Sequence, residues 1–269
     1  MNTTATAVAA EHRPSHPFGW VVADTISIAW RNLTSMRRTP EVIVFSSIQP
    51  IIFVLTFRYV FGGAVRSAPG VPYVDFLMPG IFVQTVVFGA MNTAVGLSQD
   101  MQSGIIERFR SLPMARAAVL AGRTLADLVR NVFVVGLMVG VGFLVGFRIH
   151  AGVLHFAAAI LVVLLFSFAF SWVFAIIGLG ARNAEAAQAA SFPVLAILVF
   201  ASSAFVPTQT MPSWLQGYAR NQPVSVTVEA VRRLCLGHLA GGSVLPAILW
   251  NLGILAVAAP LAVQRYRRT

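Results

Sequence analysis

The chain contains no lysine; all nineteen residues of the Lys/Arg class are arginine. That absence excludes an ordinary Walker-type ATPase site, which uses a lysine to reach the β- and γ-phosphates. A GC-rich coding bias also fits the excess of Ala, Val, Gly and Arg, and it leaves the consequence for ATP unchanged. Charge of either sign is scarce: 10% of 269 residues, where a soluble domain carries about 25%. Cys235 is the single cysteine, so no internal disulfide forms and the compartment stays open. The five histidines lack ligand spacing, and no metal site is expected. No Gly-x-Ser-x-Gly elbow is present, and Ser46, Ser47, Ser167 and Ser171 read as helix-packing donors rather than nucleophiles. Residues 1–17 have no apolar core of a signal peptide and read as a disordered cytoplasmic tail.

What is present is apolar sequence. Hydrophobic residues make up 57% of the chain and the mean hydropathy is +0.79. A polytopic all-α membrane protein follows. Residues 18–38 place Phe18, Val22, Ile26, Ala29, Leu33 and Met36 on one helical face and Asp24, Ser27, Arg31 and Ser35 on another. With Trp20 and Trp30 this reads as an amphipathic helix in the membrane interface, or as an ordinary packed surface helix. Residues 39–269 form the membrane domain. Its apolar runs predict spans at about 41–61, 75–97, 124–147, 156–181, 186–205 and 243–263. Pro50 and Pro79-Gly80 predict bends in the first two. Gly136, Gly140, Gly142 and Gly146 predict close helix contact in the third. Residues 207–242 mix Pro, Gln, Asn, Trp and Arg in pieces too short to span.

The net charge of +10 does not point to nucleic acid, because the arginines sit at the ends of apolar runs rather than on one basic face. Twelve fall in segments that would be inside if both termini are cytoplasmic, and six (Arg58, Arg66, Arg148, Arg220, Arg232 and Arg233) would be outside, which favours that orientation.

One charged island interrupts the oil. Between the second and third runs lie Glu107, Arg108, Arg110, Arg116 and Arg123. Written as a helix from Ser98 to Leu112, the segment puts Met101, Ile105, Phe109 and Leu112 on one face and Gln99, Ser103, Glu107 and Arg110 on another. Pro113 then stops or bends it. Such a helix anchors its oily face on the bundle and offers charge to a cytosolic partner; a solvated loop whose arginines only set topology fits as well.

The run Ile105–Arg116 resembles the cytoplasmic loop of ABC-2 type exporter permeases, and within them the daunorubicin-resistance subfamily. Members show Gly-hydrophobic-acid/Arg-Arg-Phe-Arg-Ser-Leu-Pro-Met-Ala-Arg at this place. Arg123, Asp127 and Arg130 continue the likeness as Gly-Arg-x-x-x-Asp-x-x-Arg. A second likeness lies in Met211–Leu234, in its Met-Pro-x-Trp-Leu and Asn-Gln-Pro-Val-Ser runs. The resemblance covers nearly the whole chain. It implies a type V ABC exporter transmembrane domain of six spans, with an interface helix first and a re-entrant helical hairpin between spans five and six. It implies a bacterial plasma-membrane protein with both termini cytoplasmic. Two permeases, identical or paralogous, would form the pore over two ABC ATP-binding subunits, which hold the ATP and Mg; this chain carries no cofactor and is not itself the enzyme. The coupling contact would use Ile105, Glu107, Arg108, Phe109, Arg110, Pro113 and Arg116. The outer gate would use Pro207, Met211, Pro212, Trp214, Asn221, Pro223 and Glu229.

Asp127 and Arg130 share a helix face at i, i+3. They read either as a relay from the coupling helix or as charge neutralisation at the membrane edge. Glu229 with Arg232 and Arg233 reads as a local pair. Asp127 and Glu185 fall at the cytoplasmic edge, which argues against a proton path. Phe53, Phe57, Phe82, Phe88, Met91, Phe166, Phe170, Phe200 and Phe205 either line a path for a flat apolar molecule or pack the core. With no buried mid-membrane charge expected, the cargo reads as an apolar or amphipathic drug, antibiotic or lipid. Three rivals stand beside drug export: a polysaccharide-precursor permease, an ion-coupled secondary transporter and a non-transporting scaffold.

Overall fold

A computed structural model describes residues 18–37, 40–60, 62, 71–105, 116–237 and 244–268, and among these every regular element is helical. The order is α1 (Phe18–Arg37), α2 (Pro40–Leu55) with a π-helical turn (Thr56–Val60), α3 (Tyr73–Gln102), α4 (Arg116–Val145), α5 (Val153–Gly180) and α6 (Ala184–Phe200). A 3-10 turn (Thr208–Thr210) then leads to α7 (Ser213–Asn221), α8 (Pro223–Leu236) and α9 (Leu245–Arg268). Among the described residues, α3, α4, α5 and α9 are long and apolar enough to cross a membrane, while α2 with its π turn and α6 are shorter apolar helices.

Local chemistry sets the boundaries. Asn183 caps α6 by accepting from the Ala186 amide at 2.7 Å, and Glu185 follows in its first turn. Pro223 opens α8 at a position where its missing N–H leaves no bond unmade. Gly237 ends α8 with φ 63°, a conformation that favours glycine. Of the helix expected over Ser98–Leu112, residues 106–112 lie outside the described residues, and its first turn belongs to α3. Nothing breaks the apolar run there, so α3 continues unbroken to Gln102 and stops only where Gly104 turns left-handed at φ 69°. On the far side of the island, helix resumes at Arg116, eight residues before the expected span.

α3 is the axis of the bundle. Of its most apolar window, 89% is buried, against 28% for α4 and 22% for α9. Packed around it are α5, α6, α4 and α8, with Leu77, Ile81, Phe82, Val86, Phe166 and Phe174 at the centre. A second apolar cluster lies at the island end, where Ile28 of α1 meets Leu97, Leu120, Trp172 and Tyr266. Glycine permits the tightest approaches. Gly80 lies under the Ala204 carbonyl, Gly178 under that of Ala94, and Gly122 under Ile28. The glycine stripe of α4 behaves otherwise. A side chain at Gly142 would meet Met78, but Gly136, Gly140 and Gly146 have open space around them. Beside them Phe133, Leu137 and Leu144 are exposed, so within this chain the stripe is not the helix contact its spacing suggests.

These contrasts predict opposite effects of filling glycine positions. Gly178→Val drives atoms into the α3 backbone and should lower stability by roughly 1–3 kcal/mol. Gly140→Ala enters open space and should raise it by about 0.5–1 kcal/mol through reduced backbone entropy. Thermal unfolding of the detergent-solubilised variants reads both signs.

Candidate functional site

The two halves of the predicted site lie at opposite ends of α3. At the island end, four charges alternate in a ladder. Arg123 of α4 pairs with Asp100 of α3 through a short contact to Oδ2, and its Nε lies 3.8 Å from Asp127. Asp127 accepts from Thr93 Oγ1 at 2.6 Å and stands 3.4 Å from Arg130 Nη1. Arg130 donates through Nη2 to the Gly89 carbonyl at 2.6 Å. Asn131 continues inward, donating to Ser167 of α5 at 2.6 Å. Two cations and two anions balance here, so groups that would be expensive to bury singly are neutralised in place. The ladder needs close approach: Gly96 lies directly under the Arg123 guanidinium and Gly89 against Asn131.

The structure thus brings Asp127 and Arg130 together and adds Asp100, Thr93 and Arg123 to them. It joins the last turn of α3 to the first turns of α4, the two helices that flank the island. Of the predicted coupling residues, Ile105 is the last described before the island and Arg116 opens α4. Glu107, Arg108, Phe109, Arg110 and Pro113 lie outside the described residues. The same end is tied to the other helices by Gln102, which donates to the Arg182 carbonyl at 3.2 Å. Arg265 of α9 lies against Gly180 of α5 there.

At the other end of α3, α8 is pinned by Arg232. This side chain is 3% exposed. It donates through Nε to the Phe76 carbonyl (3.1 Å), through Nη2 to the Ser203 carbonyl (3.0 Å) and through Nη1 to Glu229 Oε1 (2.6 Å). Its guanidinium carbon sits 3.6 Å above the Phe76 ring, a cation–π contact in a desolvated setting. The pin joins α3, the bend after α6, and α8. Gln222 adds two bonds from the hairpin turn to the α6 terminus, to the Leu198 and Ala201 carbonyls at 2.9 and 3.0 Å. Tyr73 donates to the Phe205 carbonyl at 3.2 Å. Buried Asp75 accepts from the Arg148 amide at 2.9 Å, and the His150 amide donates to the Cys235 carbonyl at 2.9 Å.

The predicted gate residues divide around this pin. Glu229 belongs to it, and Pro223 starts the helix that carries it. Pro207 precedes the 3-10 turn, Met211 ends it and Pro212 precedes α7. Trp214 is exposed, and Asn221 donates only to the Gly217 carbonyl of its own helix at 2.8 Å. The local pairing expected of Glu229 and Arg232 is present, and what the spacing did not show is that Arg232 also reaches the Phe76 and Ser203 carbonyls. A periodicity signal for it exists: Val224, Val228, Val231 and Cys235 form the buried stripe of α8, and Arg232 falls on that stripe while Arg233 falls off it. Several charged side chains are buried toward the two ends of α3. Asp75, Asp127, Arg130 and Arg232 are all buried, which their pairing and hydrogen bonds permit.

The aromatic residues also sort themselves. Phe82, Phe166, Phe170 and Phe205 are core. Phe57 stacks on Phe205 at 4.5 Å and 9°, with Phe53 and Phe200 each 6.0 Å from Phe205. Only Phe88 and Met91 of the expected path line an open cleft, between α2, α3 and α4.

Comparison with known proteins adds an independent line. The sequence profile of the ABC-2 type transporter family matches residues 24–236. The chain is 35% identical over 262 residues to the daunorubicin resistance ABC transporter permease protein DrrB1 of Streptomyces coeruleorubidus, covering 97% of this chain and 92% of that protein. It is 27% identical over 248 residues to the probable doxorubicin resistance ABC transporter permease protein DrrC of Mycobacterium tuberculosis, covering 92% and 89%. A putative transport permease ycf38 of Cyanophora paradoxa is 26% identical over 76% of this chain and 71% of its own length.

The pin predicts an asymmetry between neighbouring arginines. Arg232→Met removes three hydrogen bonds and a cation–π contact from a buried site and should cost roughly 1–3 kcal/mol. Arg233→Met, on the exposed side of α8, should cost under about 1 kcal/mol. Melting temperatures of the two variants, measured in the same detergent, give the comparison.

Proposed function

The chain belongs to the ABC-2 type transporter family, and we propose that it is the membrane permease of an ATP-driven exporter for a hydrophobic drug, antibiotic or lipid. Drug export rests on the names of the relatives and on a cleft of mixed apolar and polar character. Two ABC ATP-binding subunits supply ATP and Mg chemistry from the cytosol, and a second permease, identical or paralogous, completes the pore. The lack of lysine agrees with hydrolysis on another chain.

Six spans are reached by counting α2 with its π turn and α6 alongside the four longer helices, with α7–α8 as the re-entrant hairpin. Burial of Arg232 removes it from the outer arginines, so the asymmetry becomes twelve to five and supports cytoplasmic termini in a bacterial plasma membrane. α1 seats Ile28 and Ala29 inward and leaves Val22, Ile26 and Trp30 exposed, as an interface helix would.

The observation that carries the coupling role is the ladder. The helices that flank the island are joined to each other by Asp100–Arg123, so a push from the ATPase moves α3 and α4 as one body. α3 has 30 residues, about 45 Å at 1.5 Å per residue, and its far end holds the Arg232 pin. Movement at the island is thereby delivered to the hairpin as rigid-body displacement. Replacing Glu107, Arg108 and Arg110 by Ala in the reconstituted complex should abolish cargo-stimulated ATP hydrolysis and transport while leaving the membrane domain folded. Unchanged stimulation and transport would remove the island from the mechanism.

A further inference from the structure

We propose that the cleft between α2, α3 and α4 is a binding subsite for an uncharged hydroxyl- or carbonyl-bearing edge of an otherwise apolar, ring-containing cargo. The cleft holds about 330 Å³, at the small end of the roughly 300–1,000 Å³ of small-molecule sites. Its walls are chemically divided. Phe88, Met91 and Val134 supply apolar surface. Gln84, Thr85 and Arg130 supply polar atoms.

Two of those polar groups have no partner among the described residues. Gln84 is 1% exposed and Thr85 6% exposed, and there neither Gln84 Oε1 nor Thr85 Oγ1 makes a hydrogen bond. A buried amide or hydroxyl left unpaired destabilises a fold by about 1–3 kcal/mol, and such groups are ordinarily satisfied. Both lie on one turn of α3 and line the same cleft. Gln84 Oε1 is an acceptor and calls for a donor such as a hydroxyl. Thr85 serves as donor or acceptor, and the Arg130 guanidinium has N–H groups beyond those used by Gly89 and Asp127.

Charge narrows the class. Arg130 is matched within the ladder, where Arg123 and Arg130 face Asp100 and Asp127, so the site offers hydrogen bonds without net charge. A strongly ionic ligand would enter such a site with its own charge uncompensated. A neutral polar edge on a flat apolar body satisfies the orphan atoms and lays its rings against Phe88 and Met91. Because Arg130 belongs to both cleft and ladder, occupancy here reaches the charges that clamp the island. The inference deepens the export reading and rests on it for the word cargo.

The test uses the full-length permease in nanodiscs of one lipid composition, without the ATPase, with 1-hydroxypyrene and pyrene as a matched pair of probes. Comparing wild type with Gln84→Met cancels partition into lipid. The proposal expects 1-hydroxypyrene to bind wild type about tenfold more tightly than Gln84→Met, the loss of one buried hydrogen bond. Pyrene should bind both equally, and Phe88→Ala should weaken both probes alike. Gln84→Met should also raise the melting temperature of the empty protein, because an orphan acceptor has been removed. Equal 1-hydroxypyrene affinity for wild type and Gln84→Met would overturn the proposal. So would a fall in the Gln84→Met melting temperature, which would show that Oε1 is already held by lipid or water. Binding is read on the permease alone, so failure of island coupling leaves these results untouched, and failure here leaves the coupling test intact.

Discussion

The arginine at position 123 sits between two aspartates on two helices, and much of the chain's organisation depends on that arrangement. Asp100 ends α3 and Asp127 lies in the opening turns of α4. Between these helices in sequence runs the charged island, and the clamp joins the two helices that flank it. The clamp is half-shielded rather than fully dry, with side-chain exposures of 19% and 23% for Arg123 and Asp100. Exposed pairs of this kind contribute modestly, typically 0–1 kcal/mol, whereas the inner Asp127–Arg130 pair is buried and breaking it would strand a charge. The ladder therefore grades from adjustable at the island to rigid in the bundle, a gradient suited to receiving motion at one end and keeping shape at the other.

α3 converts that clamp into reach. It is the most buried helix, and its polar contacts are concentrated near its two ends and at one intermediate cleft. Its C-terminal turns hold the ladder, and its first turn offers the Phe76 carbonyl and ring to Arg232. Between them, Gln84 and Thr85 line the cleft beside Phe88 and Met91, with their unpaired oxygens buried at its wall. A tightly packed helix that runs from the ladder past the cleft to the Arg232 pin is a continuous body through which movement could pass, since packed interiors deform as discrete bodies rather than continuously. Glycine supports this rigidity at Gly80, Gly96 and Gly178, where backbone or guanidinium lies too close for any side chain.

Much of this was legible from residues alone. Each expected apolar run coincides with a helix, although α4 begins eight residues early, and the pairing of Asp127 with Arg130 followed from i, i+3 spacing. Three features were not. The continuation of α3 through Ser98 could not be seen, because a charged segment after an apolar run reads as a boundary although only Gly104 breaks the helix. The α4 glycines imitate a contact motif, yet spacing does not say whether a partner helix is present on that side. The distant partners of Arg232 and Asp100 were not visible either, although the local Glu229–Arg232 pair was. Arg232 binds a carbonyl 156 positions away and Asp100 an arginine 23 positions away. Long-range partners of single polar residues leave no local period to read.

The central claim is that clamping α3 to α4 turns ATP-driven movement of the island into cargo movement. The most direct measurement is the ratio of cargo transported to ATP hydrolysed by the reconstituted complex carrying Asp100→Asn, compared with wild type. The account predicts that hydrolysis persists while the ratio falls severalfold, because the island still moves but no longer carries both helices. An unchanged ratio in a folded, ATPase-competent complex would contradict it.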